Sequence, residues 1–255
     1  MISFSEAQIV AWISPIFWPF LRVLAVFTAA PIFSSRSFPL RLKIGLAFLI
    51  AFAAQPSLSN QPVISLNGME ALGVVVQQVG VGLAIGLVVR IVFGAFELAG
   101  QVVGFQMGLG FAAFFDPSTS GQSSAMGRFY ANMASLLFIA LNGHLMVMMG
   151  VVQSFEAFPV DQNFLQALSA MRIHELGADL IASAFWISLP VVAMLMFTNL
   201  ALGIVSRVAP QMNIYAIGFP VTLTVGLIGV AATLPMLDQP FAALMERMLE
   251  IFARR

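Results

Sequence analysis

The sequence predicts an all-α integral membrane protein, and its composition, its hydropathy and its long uncharged stretches support this fold class. Of the 255 residues, 60% are hydrophobic and 9% are charged, whereas about a quarter of an average soluble domain is charged. The mean hydropathy is +0.97. A helix needs about 20 apolar residues to cross the hydrocarbon core of a bilayer, and several uncharged stretches of this chain reach that length.

The charged residues divide the chain into candidate membrane helices. The uncharged stretches are residues 7–35, which Arg22 interrupts, 44–69, 71–89, 98–115, 129–155, 180–206 and 208–237. At about 20 residues for each span, they predict five to seven membrane helices in one domain that covers residues 1–255. Apolar residues recur at helical spacing in the tail, which predicts a short amphipathic helix over residues 239–255.

Basic residues in the loops indicate which side of the membrane each loop occupies. Arg36, Arg41 and Lys43 predict a cytoplasmic first loop, because positive charge is enriched on that side. The three arginines of the tail favour the same side. The acidic stretch 156–179 is expected on the external side.

Residues 71–115 predict one helix that is too long for a bilayer, because no proline interrupts them. Such a helix from Ala71 to Phe115 would be about 67 Å long at 1.5 Å per residue, whereas a bilayer with its headgroups is about 40–45 Å thick. We therefore expect either a break around residues 93–97 or a helix that protein, rather than lipid, surrounds.

One half of this predicted helix combines charged, small and aromatic residues. At 100° per residue this half contains Arg90, Glu97, Gly100, Gly104, Met107, Gly108, Phe111, Phe114 and Phe115. Glycines four residues apart let another backbone approach closely, and a charge at membrane depth costs about 2.5–3.5 kcal/mol on insertion scales. We therefore expect this face to contact protein or water, with Arg90 and Glu97 in a structural ion-pair network rather than in proton transport.

Recognised enzyme and metal-binding motifs are missing from the sequence. The chain has no cysteine and two histidines, and it contains no H-E-x-x-H, P-loop or G-x-S-x-G motif. Asn142 and His144 are expected to hydrogen-bond between packed helices. The zero net charge gives no indication of a nucleic-acid partner. The sequence thus predicts a non-enzymatic protein without metal or cofactor, and any transport must draw its energy from another chain.

Four segments carry a resemblance to a known family. They are RVLAVFTAAPIFSSRSFPLRLKIGLA (22–47), GFQMGLGFAAFFDPSTSGQ (104–122), ALNGHL (140–145) followed by SFEAFP (154–159), and RVAPQMNIYAIGFPVTLTVGL (207–227). In order and spacing they closely resemble the FliR family of flagellar export-apparatus proteins. The last segment is long and specific, and we expect its residues Arg207, Pro210 and Asn213 at helix-packing or subunit contacts. The paralogous component of virulence injectisomes is the nearest alternative.

The resemblance implies an assembly and its partners. Members of the family look like a fusion of FliP-type and FliQ-type subunits, built from kinked helical hairpins. One such chain closes a helical export gate with several copies of each partner, next to FlhB and FlhA, in the bacterial inner membrane within the flagellar basal body. Unfolded flagellar subunits pass through this gate. A very long helix fits such an assembly, because neighbouring subunits would surround it.

The resemblance also implies a plug loop that closes the pore, at residues 108–121. The matching residues are Phe111, Phe114, Phe115 and Met107 for the apolar obstruction, and Asp116, Pro117 and Gly121 for its hinge. Apolar rings suit a gate that must exclude water and ions and still pass many kinds of side chain. The alternative is that the phenylalanines only pack against partner helices.

A secondary transporter of a small solute is the competing functional class. It would also have apolar helices, buried charges at Arg90 and Glu97, and Pro190 and Pro220 within its spans. Such a transporter should show internal repeats, and this sequence has none at a fixed period. It should also work without partner chains.

Overall fold

The computed structural model describes residues 6–35, 38–55, 69–111, 124–160, 175–211 and 213–253, and helices dominate these ranges. The helices are α1 (Glu6–Ala29), α2 (Leu40–Ala54), α3 (Met69–Gln106), α4 (Ala125–Ala140), α5 (Gly143–Ala157), α6 (Leu176–Val208), α7 (Ile214–Thr233) and α8 (Asp238–Leu249). Short 3₁₀ turns lie at Ile32–Ser34, Leu109–Phe111, Leu234–Met236 and Glu250–Phe252. No strand occurs in the described ranges, so the all-α prediction is confirmed.

Four helices of the described chain, α1, α3, α6 and α7, are long and apolar enough to cross a membrane, and α4 with α5 would add a fifth as one broken span. Four or five spans lie at or below the lower end of the five to seven that the sequence predicts, for two reasons. The stretches 71–89 and 98–115 belong largely to one helix, α3. Helix α2 has only 15 residues, about 22 Å at 1.5 Å per residue, which is shorter than a bilayer core.

Helix α3 differs from its prediction in two places. It runs without interruption through residues 93–97, so the first of the two expected alternatives, a break at these residues, is wrong. It ends at Gln106, and Gly108 follows with a φ of 84°, a left-handed conformation that ends an α-helix and that glycine adopts at little cost. The continuous helix to Phe115 is therefore also wrong, although α3 is still about 57 Å long.

The chain forms two compact units, and α3 contributes to both. The first unit contains Met1–Ile91, Asn142–Gly177 and Met245–Arg255, and the second contains Val92–Leu141 and Ala178–Leu244. Three basic residues used in the charge analysis, Arg36, Arg254 and Arg255, lie outside the described residues.

The first unit is held together by close helix packing. A Cβ atom built on Gly82 would overlap the carbonyl oxygen of Arg22, and one on Gly86 would lie 2.5 Å from the Cβ atom of Ala29. Helix α3 therefore approaches α1 at distances that only glycine permits. Such close backbone contact is a usual way for apolar helices to associate where lipid gives no hydrophobic driving force.

An aromatic cluster forms the core of the second unit. Phe93 lies 5.7 Å from Phe138 and 6.2 Å from Phe241, measured between ring centroids, and Phe96 lies 5.5 Å from Phe241. Phe96 and Phe241 are fully buried. The FGAFE stretch, where the sequence led us to expect a break, is instead the part of α3 that supplies these rings.

Helix α8 is amphipathic, as the spacing in the tail predicts. Its charged residues Glu246 and Arg247 are exposed, whereas its apolar residues Phe241, Leu244, Met245, Met248 and Leu249 are buried. The helix continues into the turn Glu250–Phe252. The apolar face thus packs on the protein.

Candidate functional site

The end of α3 rests on α7, and Met107 is the centre of the contact. Met107 is fully buried. A Cβ atom built on Gly226 would lie 2.5 Å from Cγ and 2.8 Å from Sδ of Met107. Real Cβ atoms do not approach so closely, so the absence of a side chain at Gly226 creates the space that the methionine fills.

Two other residues of α7 contact the same turn. A Cβ atom on Gly108 would lie 3.2 Å from Cδ2 of the Phe219 ring. The Thr222 hydroxyl lies 3.3 Å from the Met107 carbonyl oxygen and 3.1 Å from the Phe219 carbonyl oxygen, and it can donate to either. Phe219, Thr222 and Gly226 are spaced by three and four residues, so they share one face of α7.

The start of α4 returns to the last turns of α3. Ser124 caps α4 by accepting a hydrogen bond from the Gly127 amide at 3.0 Å. A Cβ atom on Gly104 would lie 3.4 Å from the Ser124 hydroxyl oxygen and 3.3 Å from the Cβ atom of Met126. One on Gly100 would overlap the Met126 carbonyl oxygen. Gly100 and Gly104 therefore lie where α3 and α4 touch.

The two flanks of segment 112–123 are thus both connected to the end of α3, one through the chain and the other through the contact of Ser124 with Gly104. Phe111 closes the turn Leu109–Phe111, and the chain is described again from Ser124. The predicted obstruction residues Phe114 and Phe115 lie outside the described residues, as do the predicted hinge residues Asp116, Pro117 and Gly121. Their roles stay predictions.

Arg90 and Glu97 of α3 have different environments. Arg90 is exposed, and Glu97 is half-buried. The Glu97 carbonyl oxygen lies beside Gly127, 3.4 Å from a Cβ atom built there. The expectation that Arg90 and Glu97 face partner subunits or water stays a prediction.

Asn142 joins α4 to α5 through its backbone. It is exposed and has a φ of 55°, a left-handed conformation that asparagine tolerates better than most residues. Its carbonyl oxygen accepts hydrogen bonds from the amides of Leu145 and Met146, at 2.8 and 3.3 Å. His144, in the first turn of α5, is half-buried.

The residues of the specific RVAPQMN segment lie in the connection between α6 and α7. Arg207, Pro210 and Asn213 are all exposed. The Asn213 side chain accepts a hydrogen bond from the Ala216 amide at 3.3 Å and so caps α7. Exposure leaves Arg207 and Pro210 accessible to a neighbouring chain.

Arg22 is a buried charge whose importance the sequence did not reveal. Its side chain has no exposed surface, and it donates to Gln78 Oε1 at 2.9 Å, Ser154 Oγ at 3.0 Å and the Phe158 carbonyl oxygen at 2.8 Å. Its guanidinium carbon also lies 3.7 Å from the centre of the Phe155 ring, a cation–π distance. An arginine within an apolar stretch was the only available signal.

Two glutamines extend this buried polar network. Gln78 donates to Gln77 at 2.7 Å, and Gln77 donates to the Pro159 carbonyl oxygen at 2.9 Å. Both side chains are buried. The network thereby joins α1, α3, α5 and the chain that follows α5. Among the described residues, no group of three or more His, Asp or Glu side chains could hold a metal ion.

Comparison with known proteins identifies relatives that agree with one another in their names. The family model described as Bacterial export proteins, family 1, matches residues 13–248. The flagellar biosynthetic protein FliR of Escherichia coli (strain K12) is 39% identical over 239 residues, which cover 93% of this chain and 90% of that protein. FliR of Pectobacterium carotovorum is 37% identical over 95% of this chain and 92% of its own. FliR of Bacillus subtilis (strain 168) is 34% identical and covers 82% of both chains.

Proposed function

The chain belongs to the family of bacterial export proteins that includes the flagellar biosynthetic protein FliR, and from this premise we propose that it forms the pore of the flagellar type III protein export gate with FliP-type and FliQ-type subunits. FlhB and FlhA are its further partners, and unfolded flagellar proteins are its cargo. It acts in the bacterial inner membrane, within the flagellar basal body, as a structural component rather than an enzyme.

The uneven burial of the long helices supports an assembly. In the apolar 18-residue stretch that qualifies α3 as a membrane span, 61% of the residues are buried within this single chain, whereas the corresponding figure is 28% for α6 and 22% for α7. Large apolar side chains such as Phe185, Trp186 and Phe197 are exposed on α6. These surfaces must meet lipid or other apolar chains, and FliP-type and FliQ-type helices would cover them.

The observation that carries the gating role is the attachment of both flanks of segment 112–123 to the end of α3. A phenylalanine-rich segment with two fixed flanks can close a passage and still move aside between them. We propose that Phe111, Phe114 and Phe115 obstruct the pore and that Asp116, Pro117 and Gly121 form the hinge. A rim of apolar rings excludes water and ions without trapping a polar or charged substrate.

The plug is tested by removing its rings. In cells that carry the assembled apparatus, we expect Phe111→Ala, Phe114→Ala and Phe115→Ala together to raise ion permeability, because the dewetted barrier is lost. The permeability is measured as the rate of membrane depolarisation per copy of the chain in the membrane fraction.

A matched variant removes the same number of large apolar side chains elsewhere. Phe48 and Phe52 are exposed phenylalanines of α2, outside the α6 and α7 surfaces assigned to the partner chains, and replacing them together with the exposed Leu49 of the same helix by alanine should leave the permeability per chain at the parental level. Equal permeability of the plug variant and this control, at equal chain amounts, would show that the three rings serve packing only.

A further inference from the structure

Helix α2 buries its small residues and exposes its large apolar ones. It packs on α1, and its buried residues are all alanines, namely Ala47, Ala51 and Ala54. Phe48, Leu49 and Phe52, by contrast, are 50%, 61% and 57% exposed. A group of exposed apolar side chains of this size marks a surface that meets a membrane or another protein.

Arg41 lies in line with the two exposed rings of α2. At about 100° per residue, Phe48 and Phe52 are rotated by about 20° from Arg41, one to each side. At 1.5 Å per residue, they lie about 10 and 16 Å from it along the helix axis. Arg41 is itself exposed. One stripe of α2 therefore begins with an accessible guanidinium and continues as apolar surface.

The spacing along this stripe matches the layers of a bilayer. A bilayer is about 40–45 Å thick with its headgroups and about 30 Å without them, so each headgroup layer is about 5–8 Å thick. When Arg41 lies at the level of the headgroups, about 10 to 16 Å of helix is enough to carry both rings past this layer. The rings then lie among the acyl chains.

The charge of this part of the chain is positive throughout. No Asp or Glu occurs between Glu6 and Glu70. Lys43, which is half-buried, adds a second basic residue to the first turns of α2. Basic residues beside a membrane-embedded segment are attracted by anionic lipid headgroups, and the enrichment of such residues on the cytoplasmic side indicates the inner leaflet.

An anionic phospholipid fits this stripe better than a partner helix does. A protein would have to place a carboxylate at Arg41 and apolar side chains along the rest of the stripe, from residues in different turns. A phospholipid carries a phosphate and acyl chains in one molecule, in the same order in which α2 carries its guanidinium and its rings. Arginine also suits phosphate, because its planar fork can donate two parallel hydrogen bonds.

We propose that α2 is a binding site for anionic phospholipid of the inner leaflet, in which Arg41 holds the headgroup phosphate and Phe48 and Phe52 pack against the acyl chains. Lys43 adds to the attraction for a negative headgroup. The site anchors α1 and α2 in lipid, on a surface that the proposed partner contacts of α6 and α7 do not use. The inference therefore does not rest on the proposed pore or plug.

Photoreactive lipids test the site directly. The full chain is extracted with the chains that co-purify with it and is reconstituted in phosphatidylcholine bilayers with a trace of phosphatidylglycerol that carries a diazirine in its acyl chain. Phosphatidylcholine with the same diazirine is the neutral probe. After illumination, mass spectrometry measures the label on residues 44–54 per copy of the chain. We expect the phosphatidylglycerol probe to label these residues several-fold more strongly than the neutral probe does.

Substitutions of exposed arginines identify the group that selects the lipid. In Arg41→Gln, we expect the ratio of the two labels to fall about fivefold, the factor that one basic residue gives near an anionic surface. Arg41→Lys keeps the charge and should keep most of the preference. Arg128 is exposed on α4, and Arg128→Gln, which removes the same charge elsewhere, should leave the ratio unchanged.

Three results would overturn the proposal. Equal labelling by both probes that Arg41→Gln does not change would show that α2 contacts bulk lipid without selecting a headgroup. Absence of label from residues 44–54, in samples where both probes label other segments of the chain, would show that a partner chain or a second copy covers α2. An equal fall of the ratio in Arg41→Gln and Arg128→Gln would show that only the net charge of the chain matters.

Discussion

At the scale of single residues, Arg22 is the charged side chain with the greatest consequence for the fold. Three of its hydrogen-bond partners lie 56, 132 and 136 positions further along the chain. A planar guanidinium can serve several acceptors in fixed directions, which an ammonium group cannot do. Arg22 thereby fixes the mutual arrangement of α1, α3 and α5 in the first unit.

Replacing Arg22 should destabilise the protein strongly. In Arg22→Met, the buried oxygens of Gln78, Ser154 and Phe158 lose their donor, and each unsatisfied buried group costs about 1–3 kcal/mol. In Arg22→Lys one or two of the bonds can re-form, so we expect an intermediate loss. The measurement is the thermal unfolding midpoint of the purified protein in detergent.

An exposed arginine provides the control for Arg22. Arg41 lies on α2 and is exposed, so Arg41→Met removes the same charge without opening a buried network. We expect its unfolding midpoint to match the parent protein. An Arg22→Met midpoint equal to that of Arg41→Met would show that the network contributes nothing to stability.

The sequence could indicate the presence of Arg22 in an apolar stretch but not its partners. Periodicity reports neighbours three or four residues away, whereas these partners belong to distant helices. The left-handed conformation of Asn142 could not be predicted either, because the uncharged stretch 129–155 is typical of a single membrane span.

At the scale of elements, α3 shows what a sequence pattern can and cannot specify. The lack of proline between residues 71 and 115 correctly predicted a helix longer than a bilayer is thick. The end at Gln106 was not predicted, because Gly100 and Gly104 lie within α3 and only the structure shows that Gly108 adopts a positive φ. Of the two alternatives for this long helix, the break at 93–97 is wrong, and Phe93 and Phe96 pack into an aromatic cluster along an intact helix.

The contact between α3 and α1 predicts a position-specific effect of added methyl groups. Gly86→Ala would place its Cβ atom 2.5 Å from the Cβ atom of Ala29 and 3.0 Å from the Ala30 amide nitrogen. Overpacking of this kind costs about 1–3 kcal/mol. We expect a lower unfolding midpoint and faster proteolysis of the detergent-solubilised protein.

A glycine of α2 provides the comparison. A Cβ atom on Gly45 meets nothing within 4 Å, so Gly45→Ala should be neutral or stabilise the helix by up to about 1 kcal/mol through its higher helix propensity. Equal unfolding midpoints for the Gly45 and Gly86 variants would contradict the close approach of α3 to α1.

At the scale of the whole molecule, apolar surface is distributed unevenly over the long helices. The apolar stretch of α3 is buried within its own chain to a much larger extent than those of α6 and α7. The apolar composition predicted membrane helices correctly. It could not distinguish lipid-facing from partner-facing surfaces, because both are apolar and the difference lies in chains that the sequence does not contain.

The export-gate proposal predicts that this chain is isolated as part of a complex. Extracted in mild detergent with an affinity tag, it should co-purify with FliP-type and FliQ-type chains, because their helices would cover α6 and α7. A solute transporter would instead work alone, so the decisive comparison is between the purified complex and the single chain in liposomes. A monodisperse single chain that moves a small solute would overturn the gate. Since the apolar 18-residue stretch of α6 buries only 28% of its residues within the chain, we expect the single chain instead to aggregate when its partners are absent.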